Sequence, residues 1–163
     1  MTIHLETCIS PHNTLQEQQI GKAYGVWRIL VVCQLLNRTN GNQVRPMIDR
    51  FFLRWPSPTA LLMANPQELK ESIKPLGFAD QRFRHLRTMS VQYRALLDCD
   101  RQFWKSHSDG GWCLALTGCG PYAAASLDVV VYGRIMTPID DKWLEKYRQW
   151  RVEREDLRSR GLL

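Results

Sequence analysis

A glycine hairpin and a pair of carboxylates are the residues of this chain whose types and spacing could do chemistry. The hairpin is Gly118-Cys119-Gly120, followed at once by Pro121 and Tyr122. Two glycines one residue apart allow a tight turn and keep side chains clear of the main chain. Pro121 suits the first position of a helix, where its missing N–H costs nothing. The amides of the hairpin and of that helix start should point outward with the positive end of a helix dipole behind them, a natural seat for phosphate. Alone, such a hairpin could be only a C-cap and a turn. Further along, however, Asp140 and Asp141 stand at the predicted mouth of the next helix. A pure phosphate grip gains nothing from fixed negative charge beside it, so the acid pair points to catalysis. As N-caps the same carboxylates would also be kept ionised.

The elements that must position these residues read as helices. At 163 residues, the chain suits one domain with one core. Its 44% hydrophobic and 10% aromatic content is globular in kind, and its net charge of +6 favours a polyanionic partner, although charge alone would also fit a ribosomal or membrane-surface protein. Five cysteines without a C-x-x-C argue for a reducing compartment. They form no four-cysteine cluster for iron–sulfur, and no histidine set has metal-ligand spacing, so no metal site is expected. No signal-like start or stretch of membrane-span length is present, and a soluble intracellular protein is expected. The run from Trp27 to Leu36 is apolar almost all round and predicts a central buried helix, stopped by the polar turn Asn37 to Gly41. Val44, Met47, Ile48, Phe51, Phe52 and Trp55 trace an amphipathic helix that Pro56 and Pro58 end. Short helices are predicted over Thr59–Met63 and Pro66–Ile73, then a turn over Lys74 to Phe78. Phe83, Leu86, Ser90, Tyr93 and Leu97 step along another helix, and a short helix ending at Thr117 leads into the hairpin. No strand alternation is present, and the fold class is all-α. The expected organisation is a tail or strap over 1–14, one domain over 15–157 and a tail over 158–163.

Four stretches, taken together, resemble the helix-hairpin-helix DNA glycosylase superfamily. They are LLNRTNG (Leu35 to Gly41), KPLGF (Lys74 to Phe78), LTGCGPY (Leu116 to Tyr122) and PIDDKWLEKY (Pro138 to Tyr147). They come in the family's order and near its spacing, over roughly residues 15 to 152. Within the superfamily the likeness is nearest to the mismatch thymine glycosylase that in animals is fused to a methyl-CpG-binding domain, a domain that residues 1–14 cannot supply.

The resemblance implies a single helical domain of about eight to ten helices. It implies a monofunctional DNA glycosylase that removes thymine or uracil opposite guanine in base excision repair. Its partner is mispaired duplex DNA, it works as a monomer, and it sits in the nucleus or wherever the genome lies. No cofactor is implied, apart from a monovalent cation that the hairpin can hold. One aspartate does the chemistry, because Tyr122 stands where bifunctional relatives carry a lysine nucleophile. Counting forward from Pro138, the family's P-x-D selects Asp140, with Lys142 two residues on; counting back, D-x-x-L-x-x-Y selects Asp141, with Leu144 and Tyr147. A loop absorbs an extra residue more easily than a helix, where each residue turns the next by about 100°, and that favours Asp141.

By the same register Phe78 is the wedge that fills the gap left by a flipped nucleotide. Arg38 enters the lesion, and Gly118, Gly120 and Lys142 meet DNA. Tyr122 faces the base together with a glutamine: Gln19 by its spacing from Trp27, with Gln16 and Gln18 competing by local sequence. Arg148, Arg151, Arg154, Arg158 and Arg160 read as a solvated helix face. The alternatives are a noncatalytic hairpin protein that only holds DNA backbone, or a glycosylase for another damaged base. Tyr122 and the missing cluster cysteines disfavour a purine enzyme.

Overall fold

The apolar run Gly25–Leu36 forms helix α1, against which the helices Gly41–Arg54, Ala79–Asp98 and Pro121–Val130 pack. The computed structural model describes residues 14–98, 109–134 and 141–161. Trp27, Ile29, Leu30, Val31, Val32, Cys33 and Leu35 are all buried, so α1 has hardly any solvent face. The one polar atom of Trp27 is satisfied: its indole N–H donates to Ser90 Oγ at 3.0 Å, and Ser90 donates to the Leu86 carbonyl at 2.7 Å. A buried indole left without that partner would cost about 1–3 kcal/mol.

Helix α2 (Gly41–Arg54) opens on a capping box. Asn40 Oδ1 accepts from the Asn42 amide at 2.9 Å, and Gln43 Oε1 accepts from the Asn40 amide at 3.3 Å. It buries Val44, Ile48, Phe51 and Phe52, the stripe that periodicity predicts. Two short helices follow, α3 (Pro58–Leu62) and α4 (Pro66–Ile73), each with proline in the first turn and a side-chain cap, from Ser57 and Asn65. A 3₁₀ turn (Lys74–Leu76) leads to α5 (Ala79–Asp98). Its buried face is Arg82, Leu86, Met89, Ser90 and Tyr93, while Leu97, expected on that stripe, is exposed.

The helix expected before the hairpin is instead a 3₁₀ turn, Gly110–Ala115, ended by extended Leu116. Its paired glycines are poor helix formers, and Gly110 is pressed against the next helix. A Cβ on Gly110 would sit 2.1 Å from the Ala124 carbonyl oxygen, so only glycine fits. Helix α6 (Pro121–Val130) then packs against α1 and the Gly110–Ala115 turn, and α7 (Lys142–Ser159) is the last helix of the described chain. Helix α7 buries only Leu144 and Tyr147. Its arginines are largely matched within the helix: Arg148 with Glu145 at 2.6 Å, Arg151 with Glu155 at 3.8 Å, and Arg154 stacked over Trp150. The helix continues through Arg158 and Ser159, which the sequence reading assigns to the tail. At the other end Thr14 is buried, its amide and hydroxyl both donating to Glu17 Oε2 at 2.9 Å. The described residues contain helices and turns and no strand, as an all-α fold requires.

Candidate active site

The hairpin is fixed from three sides. Gln34, near the end of α1, donates from Nε2 to the Thr117 carbonyl at 2.9 Å. The Thr117 amide donates to Gln92 Oε1 of α5 at 2.8 Å, and the Gly110 amide donates to Asp128 Oδ1 of α6 at 2.8 Å. Gly118 has φ +77°, and a Cβ there would press on Gln34 and His85 at 3.1 Å. Around Gly120 there is open space, so a ligand can come up to the main chain. Among the described residues the amides of Gly118, Gly120 and Tyr122 donate to nothing. They are free for an anion at the positive end of α6.

Beside them lies a cavity of about 780 Å³, lined by Gln16, Cys33, Arg38, Asn40, Arg45, Gly118, Gly120, Tyr122, Asp141 and Trp143 among others. Asp141 is the N-cap of α7: Oδ1 accepts from the amides of Trp143 at 3.0 Å and Leu144 at 2.8 Å. Its second oxygen is uncommitted among the described residues. The cap thus holds the carboxylate rigidly on the cavity wall. Asp140 lies outside the described residues. Lys142 is exposed in the first turn of α7, and no lysine lines the cavity among the described residues.

Tyr122 is half-buried, and its hydroxyl accepts from Gln16 Nε2 at 2.6 Å. Burial pushes the phenol above its ordinary range, with smaller pushes from Cys33 and from the Asp141 carboxylate. It therefore stays a neutral O–H donor at physiological pH. The Cys33 thiol is raised to about 12, again mainly by burial, and is inert packing in the cavity floor. No group of three His, Cys, Asp or Glu among the described residues could hold a metal ion.

The structure puts Gln16 at this cavity and Gln19 elsewhere. Gln19 is buried, with its side-chain Nε2 donating to the Leu15 carbonyl at 3.2 Å and its main-chain carbonyl packed against Gly25, where a Cβ would come within 2.6 Å. Counting back from Trp27 assumes a fixed path between glutamine and helix. The chain instead makes a 3₁₀ turn over Glu17–Gln19, then a loop with left-handed Gly21 and Tyr24. These turns take up residues that the count assigns to a direct path. Of Gln16 and Gln18, which the local sequence offers, Gln16 lines the cavity.

Arg38 and Phe78 both line a smaller cavity of about 180 Å³, which Gln34, Arg82, His85 and Gly118 also line. Both are exposed, and Phe78 keeps 61% of its surface in solvent. Each has left-handed backbone, φ +56° at Arg38 and +52° at Phe78. That conformation costs a residue with a Cβ about 1–2 kcal/mol, so something must hold it. The residue between them that sequence reading missed is Arg82, which is buried on α5.

The all-helical fold and the amide-lined hairpin ahead of α6 place the chain among helix-hairpin-helix proteins. Residues 31–155 match the family described as HhH-GPD superfamily base excision DNA repair protein, and the chain belongs to that family. It is 32% identical over 111 residues to a thymine-DNA glycosylase of Aeropyrum pernix, covering 66% of this chain and 46% of that protein. It is 32% identical over 117 residues to a thymine/uracil-DNA glycosylase of Pyrobaculum aerophilum, covering 69% and 47%. A methyl-CpG-binding domain protein 4-like protein of Arabidopsis thaliana is 34% identical over 84 residues, covering 52% and 18%. The chain thus spans less than half the length of these relatives. In fold it is similar to the structure of a thermostable thymine-DNA glycosylase, with TM-score 0.52 and 20% identity over 72% of this chain and 55% of that one.

Proposed function

We propose that the chain is a monofunctional DNA glycosylase that flips thymine or uracil mispaired with guanine out of duplex DNA and hydrolyses its N-glycosidic bond. The observation that carries this is Asp141, pinned by two helix amides on the wall of a cavity whose other polar groups include Tyr122 and Gln16. As the base departs, the sugar becomes oxocarbenium-like, and a fixed carboxylate stabilises that charge or activates the attacking water. The helix amides hold the carboxylate in place, so little reorganisation is needed when the charge develops. Gln16 orients the Tyr122 hydroxyl and, with it, offers donors and acceptors to a pyrimidine edge. A lyase step needs an amine nucleophile, and Tyr122 occupies the corresponding position. The free amides at Gly118 and Gly120 and the net charge of +6 suit the phosphates of a duplex, which the protein engages as a monomer.

The test is to incubate the protein with end-labelled duplexes carrying G·T, G·U, 8-oxoguanine or adenine mispairs, with and without alkali. Strand breaks are expected for G·T or G·U only after alkali or heat. A covalent complex trapped by borohydride would overturn the monofunctional assignment, and activity confined to purine mispairs would overturn the substrate.

A further inference from the structure

Arg82 is 6% exposed, and none of the ion pairs among the described residues involves it. Its charge is met by six oxygen acceptors. Nε donates to the Gly77 carbonyl at 2.9 Å, and Nη2 reaches the Leu76 carbonyl at 3.2 Å. In the other direction Nη1 donates to the carbonyls of Gln34 at 2.6 Å and Leu35 at 3.2 Å. Nη2 also donates to the Asn37 carbonyl at 2.8 Å and to Thr39 Oγ1 at 2.5 Å. Two of these oxygens belong to the last turn of α1, where no later helical amide is available and a cation is favoured by the dipole. A helix cap would need no more than those two. The remaining four acceptors lie in the turns that carry Phe78 and Arg38: Leu76 and Gly77 immediately before the first, Asn37 and Thr39 on either side of the second.

We infer that Arg82 is a positioning residue that clamps the Phe78 turn and the Arg38 turn into one two-pronged probe, which enters the duplex together and holds the extruded nucleotide out. This rests on the glycosylase reading for its substrate. The two prongs are two of the three residues with side chains whose φ is positive among the described residues, and the same guanidinium braces both. The planar fork of Arg82 is what lets one side chain span both turns. Lysine, with a single ammonium, cannot reach the two sides at once.

The experiment uses duplexes with 2-aminopurine beside the mispair, so that fluorescence reports extrusion separately from excision. Arg82→Lys keeps the charge and should melt as a folded protein. It should lose about tenfold in the extruded population and in single-turnover excision, equivalent to 1.4 kcal/mol. In a Phe78→Ala background, where one prong is already gone, the same substitution should cost much less. Thr39→Val removes a single acceptor of the clamp and is read in place of Arg82→Lys if the latter melts early; it should move extrusion the same way. Wild-type extrusion by Arg82→Lys, or a loss undiminished in the Phe78→Ala background, overturns the clamp while leaving the glycosylase reading intact. Extrusion without excision in the wild-type protein overturns the glycosylase reading, and the clamp is then judged on fluorescence alone. A wild-type protein that neither raises fluorescence nor excises a base at any mispair overturns both.

Discussion

Replacing Asp141 with asparagine is the sharpest perturbation the site offers. Asparagine has nearly the same shape, and its carbonyl oxygen can still accept from the amides of Trp143 and Leu144 that now hold Oδ1. Asparagine is as good an N-cap as aspartate, so the cap survives. Only the favourable meeting of a negative charge with the helix dipole is lost, about 0.3–1 kcal/mol of stability at an exposed helix start. Chemistry loses far more. A charge fixed beside an oxocarbenium ion in a water-poor cavity is worth about 3 kcal/mol or above, comparable to a single oxyanion-hole donor. Excision by Asp141→Asn should therefore fall by roughly a hundredfold or more. Duplex binding should hold or tighten, since a repulsion against phosphate has gone. The assay is single-turnover release of thymine or uracil at saturating protein, beside thermal melts and a binding titration of the same preparations. Asp140→Asn is the matched control and should stay active. The opposite pattern, Asp140→Asn dead and Asp141→Asn active, would refute the assignment of the carboxylate and favour the proline-anchored count. Full activity in both would refute the mechanism.

Two further outcomes follow from the cavity and its packing. Gln16→Ala removes the donor to the Tyr122 hydroxyl and should reduce excision and blur the choice between pyrimidines, while Gln19→Ala should lower the melting temperature and leave the choice of base alone; base-competition assays on both variants separate the two roles. Tyr93, Tyr122 and Tyr147 all have phenols pushed up by burial. The folded state thus keeps protons that the unfolded chain releases above its ordinary tyrosine value of about 10. Their stabilising contribution is complete below pH 10 and is lost as pH rises from there toward the folded values. Melts from pH 8 to 11 should show that loss, with a shallower slope in Tyr122→Phe; an unchanged slope would mean Tyr122 titrates normally.

How much of this was legible beforehand depends on whether the signal is local. The stripe from Val44 to Trp55 and the apolar run from Trp27 to Leu36 predict α2 and α1 because helical periodicity is a property of consecutive residues. Proline and asparagine boundaries mark α4 for the same reason. Asp141 as an N-cap was legible from the helix register that follows it. The sequence predicts an ordinary helix before the hairpin where the chain makes a 3₁₀ turn, because the Gly110 contact with Ala124 joins residues that no local window compares. Spacing from Trp27 predicts Gln19, whereas the chain brings Gln16 to the cavity, because the path of an irregular loop cannot be counted in residues. Arg82 was invisible: on sequence it is one more arginine in a basic helix, and only the folded chain brings its acceptors from residues 34–39 and 76–77 around it.

One consequence concerns how this pocket divides along the chain. The family match begins at residue 31, yet the glutamine that orients Tyr122 sits at residue 16, in a short capped turn tied down by Thr14 and Glu17. The frame that carries the carboxylate and the hairpin therefore lies within the shared region, while part of the cavity wall is contributed from outside it. On the proposed glycosylase reading, divergence in that leading segment retunes which base is accepted and leaves the helices of the shared region undisturbed. The leading segments of related chains are accordingly the place to look for differences in base preference, even where their cores align residue for residue.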